Sequence, residues 1–277
     1  MICYGSWYTE YVVVYIESFS MRLLYPSDDF NHKQPDETYQ EEYIAAKAAG
    51  LSCSLYSVEE FELGQLKLRP PTLQGEEIVY RGWMLTPSAY SDLYRLVQAQ
   101  GGQLITSTDH YRFCHYLPEW YRSCEMFTPE TIFCDKDADF ESVLSDCSWG
   151  KYFIKDYVKS LTTHRGSVAE TVAEIPEIIQ MIEKFKGRVE GGICIRRFEN
   201  LLAETEERYF VFKGQIFSRT GSIPKIVEAI SSQIHSPFYS VDIVSNTDGE
   251  LRLIEIGDGQ VSDYKKWEPD QFVQIFK

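Results

Sequence analysis

Two acidic residues near the end of the sequence, Asp242 and Glu255, each interrupt an apolar, β-branched run. The runs 239–244 and 251–256 flank Asn-Thr-Asp-Gly, whose Asp-Gly pair is typical of a tight hairpin. Strands joined in this way could bring both carboxylates together, and an ionised group on a half-buried strand requires an ion pair or a metal. The pair suits Mg²⁺, which prefers one or two carboxylates plus nucleotide phosphate oxygens. The alternative is an edge hairpin with outward-facing charges.

Basic residues upstream of the hairpin could contact a phosphate. Lys155 and Lys159 are four residues apart in FIKDYVKS, so strand alternation points both side chains to one face. On this apolar strand Lys155 requires a partner, which is a phosphate or else Asp156 and neighbouring acids. The Ser/Thr/Gly-rich stretch 160–167 that follows has hydroxyl and backbone N–H groups that suit a phosphate. Its sequence matches neither the Walker loop nor the dinucleotide-binding motif.

Three arginines, Arg196, Arg208 and Arg219, occur where strands are predicted. The planar guanidinium group binds phosphate or carboxylate bidentately, so arginines on successive strands indicate a convergent anion site. The alternative is salt bridging to the acidic residues nearby in sequence, which are Glu199, Glu206 and Glu207. Together with Lys155 and the carboxylate hairpin, the three arginines favour the anion site.

The elements upstream of these residues alternate between strand and helix. We predict strands at 22–25, 51–56, 77–83 and 103–106, with helices at 37–49 and 88–100. This alternation favours a mostly parallel sheet with helices on its faces. The aromatic-rich segment 109–121 is expected to form a helix that packs against that sheet.

An acidic, loop-like stretch at 137–150 indicates a domain boundary, with one domain at 21–145 and a second at 146–277. Met21 opens the first regular pattern, so residues 1–20 are interpreted as an N-terminal extension that need not be native. In the second domain we predict strands at 152–158, 192–198, 208–213, 215–218, 239–244 and 251–256, and helices at 176–185 and 224–235.

The composition narrows the class of protein. A formal net charge of −15 disfavours binding to nucleic acid or anionic membrane, because phosphate binding requires a surplus of basic residues. Seven scattered cysteines, without metal-like spacing, are expected to be reduced thiols in a cytoplasmic protein. No apolar run approaches the length of a membrane helix. The oligomeric state cannot be predicted.

The order of these features resembles the ATP-grasp superfamily. Strand lysine, loop, helix, strand, arginine-bearing hairpin, helix and two acid-bearing strands follow one another between about residues 150 and 265. Four sequence segments are similar to bacterial and phage members of the clade named for two arginines and a lysine. They are FIKDYVKS, IRRFE, ERYFVFKGQIFSRTG and VDIVSNTDGELRLIEIGDGQVSD. That clade includes a eukaryotic cell-division-cycle protein that assembles translation initiation factor two. Upstream, YRGWMLTPSAYSDLYRLVQAQGGQLITS resembles the smaller α/β domain that precedes ATP-grasp modules.

The resemblance implies an α+β fold, a two-lobed ATP-grasp domain after a smaller Rossmann-like domain, with ATP and Mg²⁺ as cofactors. It implies that Lys155 contacts phosphate, with Lys159 a second candidate. It further implies that Arg196, Arg208 and Arg219 are the clade's arginines, with Arg196 and Arg208 also contacting nucleotide, and that Asp242 and Glu255 bind metal. Where the family has Glu-x-Asn, this sequence has Glu-Ile-Gly followed by Asp258, so either Asp258 replaces the ligand or one metal site is lost. Adenine is expected against the strand at 192–198.

Three functions follow from these expectations. The first is an Mg–ATP-dependent ligase that activates a carboxylate as an acyl-phosphate for attack by an amine on a peptide, a protein or a small molecule. The second is an ATP-binding assembly factor for a partner protein. The third, ATP-dependent modification of RNA, is disfavoured by the negative charge. If the arginines bind nucleotide, replacing Arg208 by lysine is expected to weaken ATP binding and leave the melting temperature unchanged.

Overall fold

The computed structural model describes residues 21–158 and 166–277. These residues form three four-stranded β-sheets connected by helices. Predictions made for residues 1–20, for Lys159 and for most of the loop 160–167 lie outside the described residues. Among those described, no helix has the length and apolar character needed to cross a bilayer, and all six cysteines are free.

The first sheet is parallel, with strand order β2-β1-β3-β4. Its strands and helices are β1 (Met21–Pro26), α1 (Gln40–Ala48), β2 (Ser52–Tyr56), α2 (Val58–Glu62), β3 (Glu77–Tyr80), α3 (Pro87–Ala99) and β4 (Gln103–Leu104). The N-terminus of α3 is fixed by Pro87 and by the Thr86 hydroxyl, which accepts a hydrogen bond from the Ala89 amide. Apart from the short helix α2, the elements follow the predicted alternation, and the parallel sheet is confirmed.

Two short helices, α4 (Thr108–His115) and α5 (Leu117–Cys124), occupy the aromatic-rich segment. The prediction that this segment packs against the first sheet is right only for its first half. Tyr111 stacks on Tyr90 of α3 with ring centroids 3.9 Å apart. Trp120 instead packs in a cluster with Val211 and Val241, which belong to a later, antiparallel sheet. The direction changes because α4 ends at His115 and α5 begins at Leu117, with Pro118 in its first turn.

The second sheet is antiparallel, with strand order β5-β8-β6-β7. Its elements are β5 (Thr131–Cys134), α6 (Phe140–Val143), β6 (Tyr152–Asp156), β7 (Val168–Ala169), α7 (Ile175–Lys186) and β8 (Ile193–Arg197). Isoleucines on one face, such as Ile154 and Ile195, pack against α7. Lys155 and Arg196 alternate with them and therefore lie on the other face. Strand β5 was not predicted; it precedes the proposed boundary at residue 145, and that boundary stays a prediction.

The third sheet has the order β10-β9-β11-β12 and contains the predicted carboxylate hairpin. Its elements are β9 (Leu201–Phe212), β10 (Gln215–Ser218), α8 (Lys225–Ser231), β11 (Phe238–Asn246) and β12 (Leu251–Asp258). Gly249 closes the hairpin turn with a φ of 82°, a left-handed conformation that favours glycine. One face of the sheet, including Val211 and Val241, packs against α4, α5 and α8.

The opposite face of the third sheet shares a core with the first sheet. Phe210 and Phe238 from the third sheet pack in one cluster with Leu23 and Tyr25 of β1. Helix α9 (Pro269–Phe272) and the residues that follow it close this cluster, in which Phe272 is fully buried and Phe276 is buried. The amino-terminal sheet and the carboxyl-terminal residues are therefore parts of one hydrophobic core.

Candidate active site

Three neighbouring strands place Arg208, Asp242 and Glu255 in a single row. Asp242 on β11 is in register with Arg208 on β9 on one side and with Glu255 on β12 on the other. Residues directly opposite each other on antiparallel strands project from the same face, with Cβ atoms about 5 Å apart. The predicted approach of Asp242 and Glu255 therefore follows from the hairpin register.

Asp242 is buried and held by two basic residues. Arg208 binds it bidentately, donating from Nε to Oδ1 and from Nη2 to Oδ2 at 2.7 Å each, and the Lys265 ammonium donates to Oδ2 at 2.9 Å. Burial alone would raise the pKa of the Asp242 carboxyl, but the hydrogen bonds and charge of Arg208, with those of Lys265, lower it below its ordinary value. Asp242 is therefore ionised.

Glu255 connects the third sheet to the second. Its Oε1 lies 3.3 Å from Nζ of Lys155, which is almost fully buried on β6. Glu255 itself is 39% exposed, so its carboxylate also reaches solvent. The alternative partner for Lys155, Asp156, pairs with Lys186 instead at 2.8 Å. The predicted lysine and the predicted acid thus meet between the two sheets.

Arg196 is a buried guanidinium on the same face of the second sheet as Lys155. It donates to the Ile254 carbonyl at 3.1 Å and to the Thr128 hydroxyl, while its Nε has no hydrogen-bond partner among the described residues. No carboxylate in the described residues forms a salt bridge with it, and burial lowers the pKa of the Arg196 guanidinium. An unpaired buried cation of this kind is suited to an anionic ligand.

Arg219 directly follows strand β10 and forms one of the salt bridges of the alternative interpretation. Its Nη2 donates to Glu207 at 2.9 Å, and both side chains are 31% exposed. The other two arginines do not pair with the glutamates of that alternative, because Glu199 pairs with Arg252 and Glu206 with Lys265. Arg208 forms its salt bridges with Asp242 and Asp263 instead. Glu207 is adjacent to Arg208 on β9 and in register with Ile243, so its side chain projects from the face opposite the row.

Asp258 is not near the other carboxylates. It is three residues beyond Glu255 on β12, so its side chain projects from the opposite face of the sheet. There Oδ1 accepts hydrogen bonds from the backbone and side chain of Gln260, and buried Oδ2 has no partner among the described residues. Burial raises the pKa of Asp258 to about 7. This placement does not support Asp258 as a replacement metal ligand beside Glu255.

Gly257 occupies the position of the asparagine in the Glu-x-Asn pattern. A Cβ atom there would lie 2.7 Å from Oγ of Ser240 and 3.0 Å from Oγ of Ser262. These two hydroxyls are 2.9 Å apart and hydrogen-bonded to each other. The space beside Glu255 that a side chain at 257 would need is therefore filled by serine hydroxyls.

The sequence reasoning missed the segment 263–267, which folds back along β9. Asp263 accepts from Nη1 of Arg208 through its carbonyl and its carboxylate, both at 2.7 Å. The Lys266 ammonium donates to the Glu206 carbonyl at 2.6 Å, and the Trp267 indole donates to the Arg208 carbonyl at 3.0 Å. The only available signal was the adjacent Lys265-Lys266 pair after an acidic turn, which by itself is typical of a solvated surface.

The donor set around the row fits Mg²⁺ as one shared ion. The described residues contain no cluster of three or more His, Cys, Asp or Glu side chains arranged as a complete metal site. Asp242 and Glu255, however, provide two carboxylates in register on one face, and a nucleotide-bound Mg²⁺ requires one or two. At present each carboxylate contacts a lysine, Lys265 and Lys155 respectively.

Comparison with known proteins identifies the family of the domain that contains these residues. Residues 139–275 match the family model described as an ATP-grasp domain, family 3 of the clade named for two arginines and a lysine. No curated protein sequence matches the chain.

Solved structures resemble almost the whole chain. D-cycloserine synthetase DcsG has a TM-score of 0.60 at 11% identity, covering 92% of this chain and 98% of its own. The ATP-grasp ligase PsnB, in complex with a phosphomimetic precursor variant, Mg and ADP, has 0.58 at 12%, covering 93% and 99%. The macrocyclase MdnC of Microcystis aeruginosa, bound with precursor peptide MdnA, has 0.59 at 12%, covering 93% and 97%. At these identities the likeness establishes the fold.

Proposed function

Because residues 139–275 belong to the ATP-grasp domain family, in family 3 of the two-arginine and one-lysine clade, and the chain has the fold of ATP-dependent carboxylate–amine ligases, we propose that it joins a carboxylate to an amine at the expense of ATP. The expected cofactors, ATP and Mg²⁺, are those of the family, and Mg and ADP are bound in the PsnB structure. The observation that carries the proposal is the row of Arg208, Asp242 and Glu255 facing Lys155 of the second sheet.

The reaction would proceed in two balanced steps. An oxygen of the substrate carboxylate attacks the terminal phosphorus of ATP, which forms an acyl-phosphate and releases ADP. The amine nitrogen then attacks the acyl carbon, which forms an amide and releases phosphate and a proton. Bound Mg²⁺ would supply charge neutralisation on the phosphate oxygens. No protein nucleophile is needed, because phosphoryl transfer depends on positioning and electrostatic stabilisation.

In this proposal each residue has a distinct task. Asp242 and Glu255 would hold the metal, and Arg208 keeps Asp242 ionised and oriented. Lys155, which contacts Glu255, would neutralise phosphate charge. Arg196, buried without a carboxylate partner, is a second phosphate contact.

Arg219 is proposed to hold the acceptor carboxylate. It is more exposed than Arg208, and its partner Glu207 is a partly exposed residue at the edge of the sheet. A salt bridge of this exposure is weak, so a substrate carboxylate can replace Glu207 at small cost. Lys159 remains a candidate phosphate contact from the sequence alone.

The acceptor is proposed to be a peptide, a protein or a small molecule. The similar structures include enzymes with peptide precursors, PsnB and MdnC, and a small-molecule enzyme, DcsG. The protein should be incubated with Mg–ATP and size-fractionated host extract, with ADP release measured by a coupled assay and the adduct identified by mass spectrometry. A ligase releases ADP only with the fraction that contains its acceptor.

Two variants on the same hairpin make this assay specific. Glu255→Gln should abolish ADP release, whereas Glu250→Gln, an exposed residue beside the hairpin turn, should behave as the wild type. Nucleotide binding without ADP release, together with a protein that co-purifies in stoichiometric amount, would instead indicate an assembly factor. Equal ADP release by both variants would contradict the proposed site.

A further inference from the structure

The ammonium group of Lys265 lies between two carboxylates beside the row. It donates to Oδ2 of Asp242 at 2.9 Å and to Oε1 of Glu206 at 2.5 Å. The Lys265 side chain is 28% exposed, whereas Asp242 is only 3% exposed. Lys265 therefore covers the solvent side of a carboxylate that is otherwise buried against Arg208.

The backbone around Lys265 is built to place it there. Its φ of 44° is left-handed, a conformation that non-glycine residues rarely adopt and that persists where neighbouring contacts impose it. The Lys265 amide donates to the Asp263 carboxylate at 3.2 Å, and Asp263 is itself bound to Arg208. Trp267 fixes the other side of the turn on β9.

The hydrogen-bonding capacity of Asp242 limits how many groups can contact it at once, so the position of Lys265 affects metal binding. Each carboxylate oxygen can accept about two hydrogen bonds or metal contacts. Arg208 uses one position on each oxygen, and Lys265 uses the second position on Oδ2. A dication shared by Asp242 and Glu255 would be repelled by an ammonium group in contact with its own ligand.

We propose that Lys265 is a tethered cation that occupies Asp242 when no metal is bound and moves onto Glu206 when Mg²⁺ arrives with the nucleotide. This inference rests on the proposed function, because it assigns the metal to Asp242 and Glu255. Glu206 already contacts the ammonium, so Lys265 can leave Asp242 without losing its remaining partner.

Such a residue changes the order in which ligands bind. Lys265 lowers the affinity of the site for a free metal ion, because the ion must displace the ammonium group and gains contacts to only two carboxylates. A metal–nucleotide complex adds phosphate contacts to Lys155 and Arg196, so it can displace Lys265 where the ion alone cannot. The protein would then bind the complex in preference to free Mg²⁺.

The test measures metal binding without nucleotide and without turnover. Mn²⁺ is titrated into the protein, and free Mn²⁺ is followed by its electron paramagnetic resonance signal. Lys265→Met should bind Mn²⁺ about three- to tenfold more tightly than the wild type, because one partly exposed positive charge has been removed. Lys265→Arg keeps the charge and should remain close to the wild type.

The neighbouring lysine provides a matched control. Lys266→Met removes the same charge one residue away, but Lys266 contacts Glu207 and backbone carbonyls rather than Asp242, so Mn²⁺ affinity should change less than twofold. Adding Glu255→Gln to Lys265→Met should abolish the tighter binding, which locates the ion. If Lys265→Met does not fold, as judged by thermal melting, Lys265→Gln replaces it.

The result that overturns the inference is Mn²⁺ affinity in Lys265→Met, or in Lys265→Gln, that equals or falls below the wild-type value. The inference is also overturned if Lys266→Met tightens Mn²⁺ binding equally, because the tighter binding would then come from the lower positive charge of the protein and not from the position of Lys265. Calorimetry with Mg²⁺ and a non-hydrolysable ATP analogue separates this failure from failure of the proposed function. Absence of analogue binding by the wild type refutes the nucleotide site, whereas normal analogue binding with unchanged Mn²⁺ affinity refutes only the role of Lys265.

Discussion

Replacing Arg208 by lysine tests whether the row depends on a planar, bidentate contact. Arg208 donates four hydrogen bonds at 2.7 Å, two to Asp242 and two to Asp263. Lysine retains the charge but cannot span both oxygens of Asp242 from the same position. The sequence-based expectation of an unchanged melting temperature is therefore revised, because the structure places Arg208 in a buried ion pair.

The magnitude follows from burial. The Asp263 side chain is 76% exposed, so its ion pair adds little to stability, whereas Arg208 and Asp242 are 9% and 3% exposed. Losing one charge-assisted hydrogen bond between Arg208 and Asp242 costs about 2 kcal/mol. For a protein of this size that corresponds to a fall in melting temperature of about 4–8 °C.

The assay is thermal unfolding followed by circular dichroism, together with calorimetry of Mg–ATP-analogue binding. Arg219→Lys is the matched control, because Arg219 makes one bond between partly exposed groups and should change stability by about 0–1 kcal/mol. Arg208→Lys should lower both the melting temperature and the affinity for the analogue. Equal melting temperatures for the two variants would refute the argument that the buried pair supports the row.

Three further predictions concern the charged residues of the row and the sheets beside it. Glu255→Gln and Asp242→Asn should both remove Mg²⁺-dependent binding of an ATP analogue in calorimetry. Asp242→Asn should lower the melting temperature more than Glu255→Gln, because both members of its ion pair with Arg208 are buried whereas Glu255 is 39% exposed; retained analogue binding in both variants would mean that the hairpin is purely structural. Asp258→Asn should stabilise the protein increasingly as pH rises from about 4 to 7. The reason is that burial raises the pKa of Asp258 to about 7 in the folded state. Above its unfolded pKa the wild type binds a proton at Asp258 only when folded, so the wild type loses stability as pH rises towards 7, and the variant does not. A difference in melting temperature that does not depend on pH would contradict this. Arg196→Met should weaken binding of the analogue about 10- to 100-fold. It should not lower the melting temperature, because a buried cation without a carboxylate partner destabilises the fold. A large loss of stability would show that Arg196 is structural.

The hairpin and its register could be predicted because their determinants are local. The Asp-Gly turn and the alternation on either side fix which residues face each other, so Asp242 and Glu255 were expected together and are found in register. The βαβ alternation of the first sheet is similarly local. These signals span fewer than about 40 residues each and survive without tertiary information.

The partners of Asp242 could not be predicted because they depend on distant register. Arg208 reaches Asp242 only because β9 pairs with β11 across the helix α8. Lys265 reaches it only because the chain turns back at 263–267. Hairpin periodicity specifies neither event, so the sequence identified the acid and left its counter-ions open.

The placement of Asp258 was available from the sequence and was overlooked. An odd separation along a strand puts two side chains on opposite faces, and Asp258 is three residues from Glu255. The resemblance to a Glu-x-Asn pattern favoured Asp258 as the nearest acid, but the odd separation from Glu255 places its side chain on the other face of the strand. The serine hydroxyls that instead fill the space beside Glu255 come from residues 240 and 262, which only the folded structure brings together.

The core shared by the first and third sheets has a consequence for synthesis on the ribosome. Tyr25 on β1 is buried against a cluster that includes Phe272 and Phe276, so the partners of this strand are translated about 250 residues after it. At about 5–20 residues per second, this face of the first sheet waits roughly 10–50 s for its covering. During that interval the nascent chain exposes an apolar parallel sheet, the kind of surface that chaperones bind. We therefore expect a nascent chain stalled before residue 267 to be more sensitive to protease in residues 21–104 than the released protein.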